Sequence, residues 1–467
     1  MKLIADLHIH SRFSQATSKD LVIDNLEKYA RIKGVGMLGT GDFTHPKWIQ
    51  ELKTKLKDDS TGIYKTESGF AFMLQTEISL IYSQGGSGRR IHNIVYAPEI
   101  EVCDQITEYL LKFGRVDYDG RPIFKIPCPQ FVGDLKNIDK RIEVVPAHIW
   151  TPWFSLFGSK SGFDTVKECF QEQTKHIFAM ETGLSSDPAM NWRLSQLDGY
   201  TMISNSDLHS FWPWRIGREA NEFELKNEDE LTYDKIIDIM KTRKGFTRTI
   251  EVDPNYGKYH YDGHRKCNVC FSPQETMKYD GICPVCKSPL TIGVEYRVEE
   301  LADREMGYRP KDAVDFISPI PLSEILSLLT GKALATKTVW AEYNKLVDIK
   351  NNVNEFDVLL DKPYDWLIGR TSEKIAKAII MNRNGEIKVS PGYDGEYGVP
   401  QLDGVPEKKT SKNKNLSEGN DDAVEIKKKD KEVIRKLVST NITKEDKQYV
   451  LAKKSTGSPQ RGLDEFW

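Results

Sequence analysis

Asp6-Leu7-His8-Ile9-His10-Ser11 closes the first predicted strand of this chain, and its reading decides the fold. Side chains alternate between the two faces of an extended segment, so His8 and His10 share a face and can ligate one metal ion together. A lone pair of this kind is weak, since two histidines can equally line a strand surface. Support comes from the rest of the chain. Only 9 histidines occur in 467 residues, yet His92, His148 and His209 also fall in or just after predicted strands. Carboxylates hold the same kind of place: Asp42 in GTGD, Glu77 in QTE, Glu181 in MET and Asp207 in SDLH. Strands of a parallel barrel converge at one rim, where such residues can assemble a multinuclear metal site.

The surrounding pattern suits that geometry. Over 1–265, β-rich runs at 36–39, 70–81, 91–96, 141–145, 176–180 and 200–203 alternate with helical patterns such as 19–33. Such βα repetition implies a mainly parallel sheet or barrel, with 1–265 as the catalytic domain. A cysteine segment follows at 266–296, then a mainly helical stretch at 297–400 that ends in PGYDGEYG. Beyond it the composition turns to Lys, Glu, Asp, Ser and Asn, and 401–467 reads as a disordered tail.

The near-balance of 66 basic and 69 acidic residues offers no global attraction to nucleic acid or to an anionic membrane. Phosphate binding must then come from local patches or metal ions. No apolar run reaches the roughly 18 residues of a membrane span, and the first residues lack a signal-peptide core. We read the chain as intracellular and without a membrane partner. Disulfides are rare in a reducing compartment, so Cys103, Cys128 and Cys169 are read as buried thiols.

The ordered set DLHIHS, GTGDFTHP, QTEIS, IHNIVYAP, PAHIW, ETGLSSDPAMNWR and SNSDLHS resembles the polymerase-and-histidinol-phosphatase (PHP) superfamily. The resemblance implies a distorted (β/α)7 barrel holding up to three divalent ions, zinc first, with manganese or magnesium as alternatives. It also implies that His8 and His10 hold one ion and that Glu77 bridges two. Asp42, His92, His148, Glu181, Asp207 and His209 would complete the shells, with Glu77, Asp207 and His209 catalytic. One family position, usually His or Asp shortly after the HxH pair, meets Ser14, Gln15 or Ala16 here. Clustered divalent ions lower the pKa of bound water to about 7 and steady a leaving oxygen, which suits phosphoester hydrolysis without a protein nucleophile. Phosphatase and nuclease both remain open on that ground.

Cys267-x2-Cys270 and Cys283-x2-Cys286 have zinc-ribbon spacing, four thiolates closing a tetrahedral structural site around one ion. Lys258, His264 and Arg265, interleaved with Tyr256, Tyr259 and Tyr261, enter the first knuckle. Basic residues among aromatics suit a nucleic-acid backbone with exposed bases. A solvated charged rim is the alternative on composition, and the ribbon favours nucleic acid.

GKYHYDGHRKC, the ribbon, TIGVEYRVEELADR, IPLSEI and PGYDGEYG narrow the resemblance to the endonuclease Q family of DNA repair nucleases, over nearly all of 1–400. It implies a metal-dependent enzyme that cuts single- or double-stranded DNA 5′ to uracil, hypoxanthine and abasic sites, leaving a 3′-hydroxyl and a 5′-phosphate. Ser185 and Asn205 are candidates for reading the carbonyl that uracil and hypoxanthine share; the plainer roles are a turn cap and a brace. Trp150, Trp153, Phe154, Phe157, Phe211, Trp212 and Trp214 could wedge or stack against DNA, or be buried in the rim. The competing reading is a PHP-type phosphomonoesterase or exonuclease, which has no evident use for the ribbon or the helical part.

At the end of the tail, Gln460, Leu463, Phe466 and Trp467 resemble a peptide that binds the sliding clamp (PCNA), with Gln, an aliphatic residue and paired aromatics in the clamp's groove. The motif favours an archaeal source. The chain is expected to act as a monomer, tethered to clamp-loaded DNA.

Overall fold

The computed structural model describes residues 1–58 and 60–402, in two compact units. Of the described residues, one comprises 1–321 and 381–402; the other is Leu322–Ile380. The tail and its clamp motif lie outside the described residues.

The first unit opens with β1 (Lys2–Asp6), β2 (Met37–Gly39), β3 (Lys57–Asp58), β4 (Ile63–Lys65) and β5 (Ala71–Met73). Next come β6 (Gln75–Gln84), β7 (Ser87–Tyr96), β8 (Ile123–Phe124), β9 (Glu143–Pro146), β10 (Ala179–Glu181) and β11 (Thr201–Ile203). It continues through β12 (Ala220–Glu224), β13 (Phe246–Ile250), β14 (Asp262–His264), β15 (Val269–Phe271), β16 (Asp315–Ile317), β17 (Lys388–Ser390) and β18 (Val399–Gln401). Eight strands form one sheet in the order β16-β13-β12-β1-β2-β5-β4-β3, and four form another, β8-β6-β7-β9. The pairs β10-β11, β14-β15 and β17-β18 stand apart.

β1 lies inside the large sheet, parallel to β2 and antiparallel to β12. Leu3, Ala5 and Leu7 enter a buried core with Met37, Met73, Ile94, Val145, Ala147, Ala179, Ile203 and Phe223. Burying an aliphatic side chain contributes about 1.5–3 kcal/mol, so this shared interior fixes where each strand ends.

Among the described residues the expected (β/α)7 barrel is not one closed sheet; the fold is mixed α/β. An antiparallel hairpin of two 10-residue strands, β6 and β7, interrupts the parallel repetition. The sheets otherwise meet through single contacts: Ala97 N–H to the Leu74 carbonyl (3.1 Å), Ile149 N–H to the Glu181 carbonyl (3.1 Å), and an Ile9–Leu208 bridge. One reason is local. Asp42, His148 and Asp207 follow strand ends with φ of 45°, 30° and 47°, in the left-handed region, where extended pairing stops.

The second unit is helical: Leu322–Thr330, Lys337–Leu346, Tyr364–Ile368 and the start of Glu373–Arg383. Leu322, Ile325, Leu326, Val339, Trp340, Tyr343, Leu359 and Leu367 are buried. Buried Glu355 accepts the Leu322 N–H (3.1 Å) and the Tyr343 hydroxyl (2.6 Å). This unit is narrower than 297–400: residues 297–321 group with the first unit, where β16 extends the large sheet beside β13. No helix among the described residues is long and apolar enough to cross a membrane.

Candidate metal centre

Alternation beyond β1 brings His8 and His10 to one face, and both are fully buried. Each is held from behind by a carboxylate. The Glu181 oxygens stand 3.0 Å from His8 Nδ1, and Asp42 Oδ1 stands 2.9 Å from His10 Nδ1. A carboxylate on Nδ1 fixes the tautomer and leaves the Nε2 lone pair for a metal ion. Both Nε2 atoms are buried without a hydrogen bond, as ligand atoms awaiting a cation would be.

Asp42 and Glu181, expected as ligands, are thus placed behind the ligands. Asp42 Oδ2 accepts the Ser11 N–H (2.7 Å), the Ser11 hydroxyl (2.6 Å) and the Ser14 hydroxyl (2.9 Å). Glu181 accepts the His148 N–H (2.8 Å) and the Asn205 amide (2.9 Å). Gly120 closes over this arrangement: a Cβ there would collide with Asp42 Oδ2 and Ser14 Oγ, so no larger residue fits without moving them.

Glu77, at the start of β6, joins two donor groups. Its Oε1 is 2.7 Å from His92 Nδ1 and 3.1 Å from His148 Nε2. Oε2 is 3.1 Å from His10 Nε2 and 3.6 Å from His8 Nε2. Asp207 Oδ1 completes the second group, 3.1 Å from His10 Nε2. The ligand atoms of His8, His10, Glu77 and Asp207 lie within 4.8 Å of one another, as do those of Glu77, His92 and His148. Imidazoles plus carboxylates at this spacing fit two divalent ions sharing Glu77. Among the described residues no third group of this kind forms beside these two, and the Ser14 hydroxyl donates to Asp42.

His209 belongs to neither group. Its Nδ1 lies 2.8 Å from the Asp207 carbonyl oxygen, and its ring centroid 4.9 Å from that of His10.

The charges show what the site lacks. Burial works against ionisation, yet Glu181 and Glu77 push His8 well above its ordinary pKa, and Asp42 and Asp207 do the same for His10. Burial would raise the Glu77 carboxyl, but His92, Arg121 and His8 hold it well below its usual range. Burial pushes His92 down to about 4. The carboxylates around His8 and His10 thus favour positive charge at this place, which a bound cation would supply.

The second metal group differs in one member from the four cysteines expected. His264, Cys267, Cys283 and Cys286 converge, with Cys286 Sγ 3.1 Å from His264 Nδ1, whereas Cys270 stays outside. The hairpin register decides this: Cys270 stands on β15 opposite Gly263, and burial raises its thiol to about 11. The first knuckle is therefore His264-x2-Cys267, one step earlier in the sequence, matching Cys283-x2-Cys286. Hydrogen bonds from Ser288 lower the Cys286 thiol to about 6, toward the thiolate that a metal needs.

Residues 321–386 match the family described as MJ0043 C-terminal domain. An uncharacterized protein of Methanocaldococcus jannaschii is 33% identical over 315 residues, 66% of this chain and 36% of that protein, so the chain spans about a third of that relative's length. The uncharacterized protein YqxK of Bacillus subtilis is 28% identical over 419 residues, 85% of this chain and 98% of that one. Among solved structures, the lesion-specific endonuclease of Pyrococcus furiosus superposes with a TM-score of 0.76 at 29% identity, covering 86% of this chain and 96% of that one. An endonuclease Q complex with a 27-mer duplex substrate carrying an abasic lesion at the active site gives 0.75 at 29% identity, covering 89% and 100%. The chain belongs to the endonuclease Q family.

For an endonuclease Q chain, the other sequence candidates divide clearly. Asn205 is a brace: fully buried, it accepts the Leu7 N–H (2.8 Å) and the Asn221 amide (2.9 Å) and donates to Glu181. Ser185 is half-buried, and the turn beside it is capped by Asp187, which accepts the Met190 N–H. Of the seven rim aromatics only Trp153 is exposed, at 47%, with the Arg90 guanidinium 4.8 Å from its ring centroid. Phe154 is half-buried, and the other five are buried.

Near the ribbon, Lys258 stands over the rings of Tyr259 (5.5 Å) and Tyr397 (6.0 Å), both exposed. Arg265 is exposed beside Glu396 at 3.8 Å. The basic-aromatic rim of this family member is therefore present, without His264. Sequence reasoning missed Arg121, whose Nη1 is 3.1 Å from Glu77 Oε2; no motif marks it.

Proposed function

We propose that this chain is a metal-dependent DNA repair endonuclease that hydrolyses the phosphodiester 5′ to uracil, hypoxanthine and abasic sites, leaving a 3′-hydroxyl and a 5′-phosphate. The observation that carries this is Glu77, shared by two buried histidine groups, on a scaffold that aligns nearly end to end with a lesion-specific endonuclease. The barrel reading is retained as a ring of strands whose seams are the single contacts between sheets.

When bound, the ions activate water and polarise the phosphoryl oxygens. The chain's own residues hold and aim them: His8, His10 and Asp207 on one side of Glu77, His92 and His148 on the other. Asp42 and Glu181 keep the imidazoles of His10 and His8 in the ligating tautomer. His209, beside Asp207, is placed to pass a proton to the departing 3′ oxygen. A damaged base is cheaper by a few kcal/mol to extrude from the duplex, which supplies part of the selectivity. Ser185 is the base-reading candidate that keeps some exposure. Zinc in both metal sites, action as a monomer and the clamp-binding tail complete the reading.

The test is an end-labelled duplex carrying one uracil, with and without chelator, beside p-nitrophenyl phosphate. A chelator-sensitive nick on the 5′ side of uracil is expected. Intact DNA with turnover of the phosphomonoester would transfer the reading to a phosphatase. In the same assay, protein lacking Gln460–Trp467 should cut short oligonucleotides normally and no longer co-elute with a sliding clamp; retained co-elution would remove the clamp role.

A further inference from the structure

Arg121 is a cation inside a site built to bind cations. It precedes β8, its side chain is 25% exposed, and Nη1 lies 3.1 Å from Glu77 Oε2, the oxygen that also faces His10 and His8. Its position is fixed on three sides. The Arg121 N–H donates to Asp119 Oδ1 (3.0 Å), which also accepts the Gln15 N–H (3.2 Å). The Gly120 N–H donates to the Phe13 carbonyl (3.0 Å), and the Pro122 carbonyl accepts the Ser79 N–H (3.1 Å), two residues beyond Glu77. The loop is thus pinned to both the segment after His10 and the strand that carries Glu77.

An ion pair with Glu77 does not by itself explain this. Two divalent ions sharing Glu77 would neutralise that carboxylate without any guanidinium. A fixed, mostly buried cation then adds to a positive surplus, which burial makes unfavourable unless an anion arrives to offset it. The anion that the proposed reaction brings is the phosphodiester, and its negative charge spreads over the non-bridging oxygens in the transition state. A guanidinium presents several donors in a planar fork suited to such oxygens.

We propose that Arg121 binds a non-bridging oxygen of the scissile phosphate and stabilises its charge as the bond to the 3′ oxygen breaks, and that it does not serve to hold the ions. This rests on the phosphodiesterase reading above. The Glu77 contact then keeps the guanidinium over the site before substrate arrives.

The experiment compares the metal-loaded full chain with its Arg121→Gln and Arg121→Lys variants. Ion content is read by elemental analysis, inorganic phosphate binding by calorimetry, and turnover on bis(p-nitrophenyl) phosphate and on the uracil duplex. Both variants are expected to keep their ions. Arg121→Gln should bind phosphate at least about 10-fold more weakly and turn over bis(p-nitrophenyl) phosphate about 10²–10³-fold more slowly, the size of effect of one removed oxyanion donor. Arg121→Lys, with the charge but not the fork, should recover part of both. Unchanged phosphate affinity, or loss of ions from both variants, overturns the proposal. If the wild-type chain hydrolyses bis(p-nitrophenyl) phosphate with this Arg121 dependence but leaves the uracil duplex intact, the lesion reading fails and Arg121 stands. If the duplex is cut equally by wild type and Arg121→Gln, Arg121 fails and the lesion reading stands.

Discussion

Glu77→Gln is expected to abolish nicking, with a loss of at least about 10³-fold, to release the ion of the His92–His148 group and to weaken the hold on the other. The side chain keeps its size, so packing is not the cause. One charge disappears, and with it one of the two oxygens that Glu77 offers: Oε1 toward His92 and His148, Oε2 toward His10 and His8. Without the carboxylate, one group retains two imidazoles and the other two imidazoles and Asp207. Two imidazoles alone are a poor site for a divalent ion; the other group keeps three ligands but loses the carboxylate it shares, so its ion is held more weakly. The contrast is with Glu181→Gln, where no ligand of either group is removed and only the support of His8 and of the His148 and Asn205 amides is disturbed; there a 10–100-fold effect is the usual scale. Elemental analysis beside the uracil-duplex assay measures both. Glu77→Gln protein that keeps its ions and cuts within tenfold of wild type would mean that the two groups do not share a carboxylate.

His264→Ala should strip the ribbon of its ion, whereas Cys270→Ala should leave it in place. The segment has little else to fold on. Val269, Cys283 and Leu290 form its buried apolar cluster, backed by the partly buried Cys267 and Phe271. Structural zinc contributes roughly 10–16 kcal/mol of apparent binding free energy in small zinc-finger peptides, far more than so small a core. Losing His264 should therefore loosen 262–291 as well as empty it. Protease sensitivity of that segment and one ion fewer per chain are the readouts. If Cys270→Ala loses the ion and His264→Ala keeps it, the four-cysteine expectation is restored.

The two metal groups show where sequence reading works and where it stops. His8 and His10 were legible because alternation along a strand is independent of the rest of the fold. Glu77, His92, His148 and Asp207 were legible by their place in or just after strands, and all four join the donor groups. The roles of Asp42 and Glu181 were not. A carboxylate that binds a metal and one that orients a histidine differ only in which nitrogen they face. The ribbon was ambiguous for a similar reason: His264-x2-Cys267 and Cys267-x2-Cys270 are overlapping frames of equal spacing, and spacing alone does not show that His264 converges with three of the cysteines. Arg121 was invisible because it sits in a loop without periodicity, brought to Glu77 by contacts with two distant segments, the one after His10 and the strand that carries Glu77. The repetition of βα units was visible, but the long antiparallel β6–β7 hairpin could be read only as two strands of unknown pairing.

The first strand made is among the last to be enclosed. Lys2 pairs with Glu224, and the amine of Met1 bonds the Leu225 carbonyl. Pairings so distant along the chain form late in folding. A chain ending at His148 would carry most of the ligands with β2 beside the first strand but β12 not yet present. We therefore expect ion binding at the catalytic site to await β12. Chains arrested before residue 220 should retain no catalytic-site ions after desalting, whereas those completed through residue 402 should; ion retention by the arrested chains would show that the histidine pair is organised without its sheet.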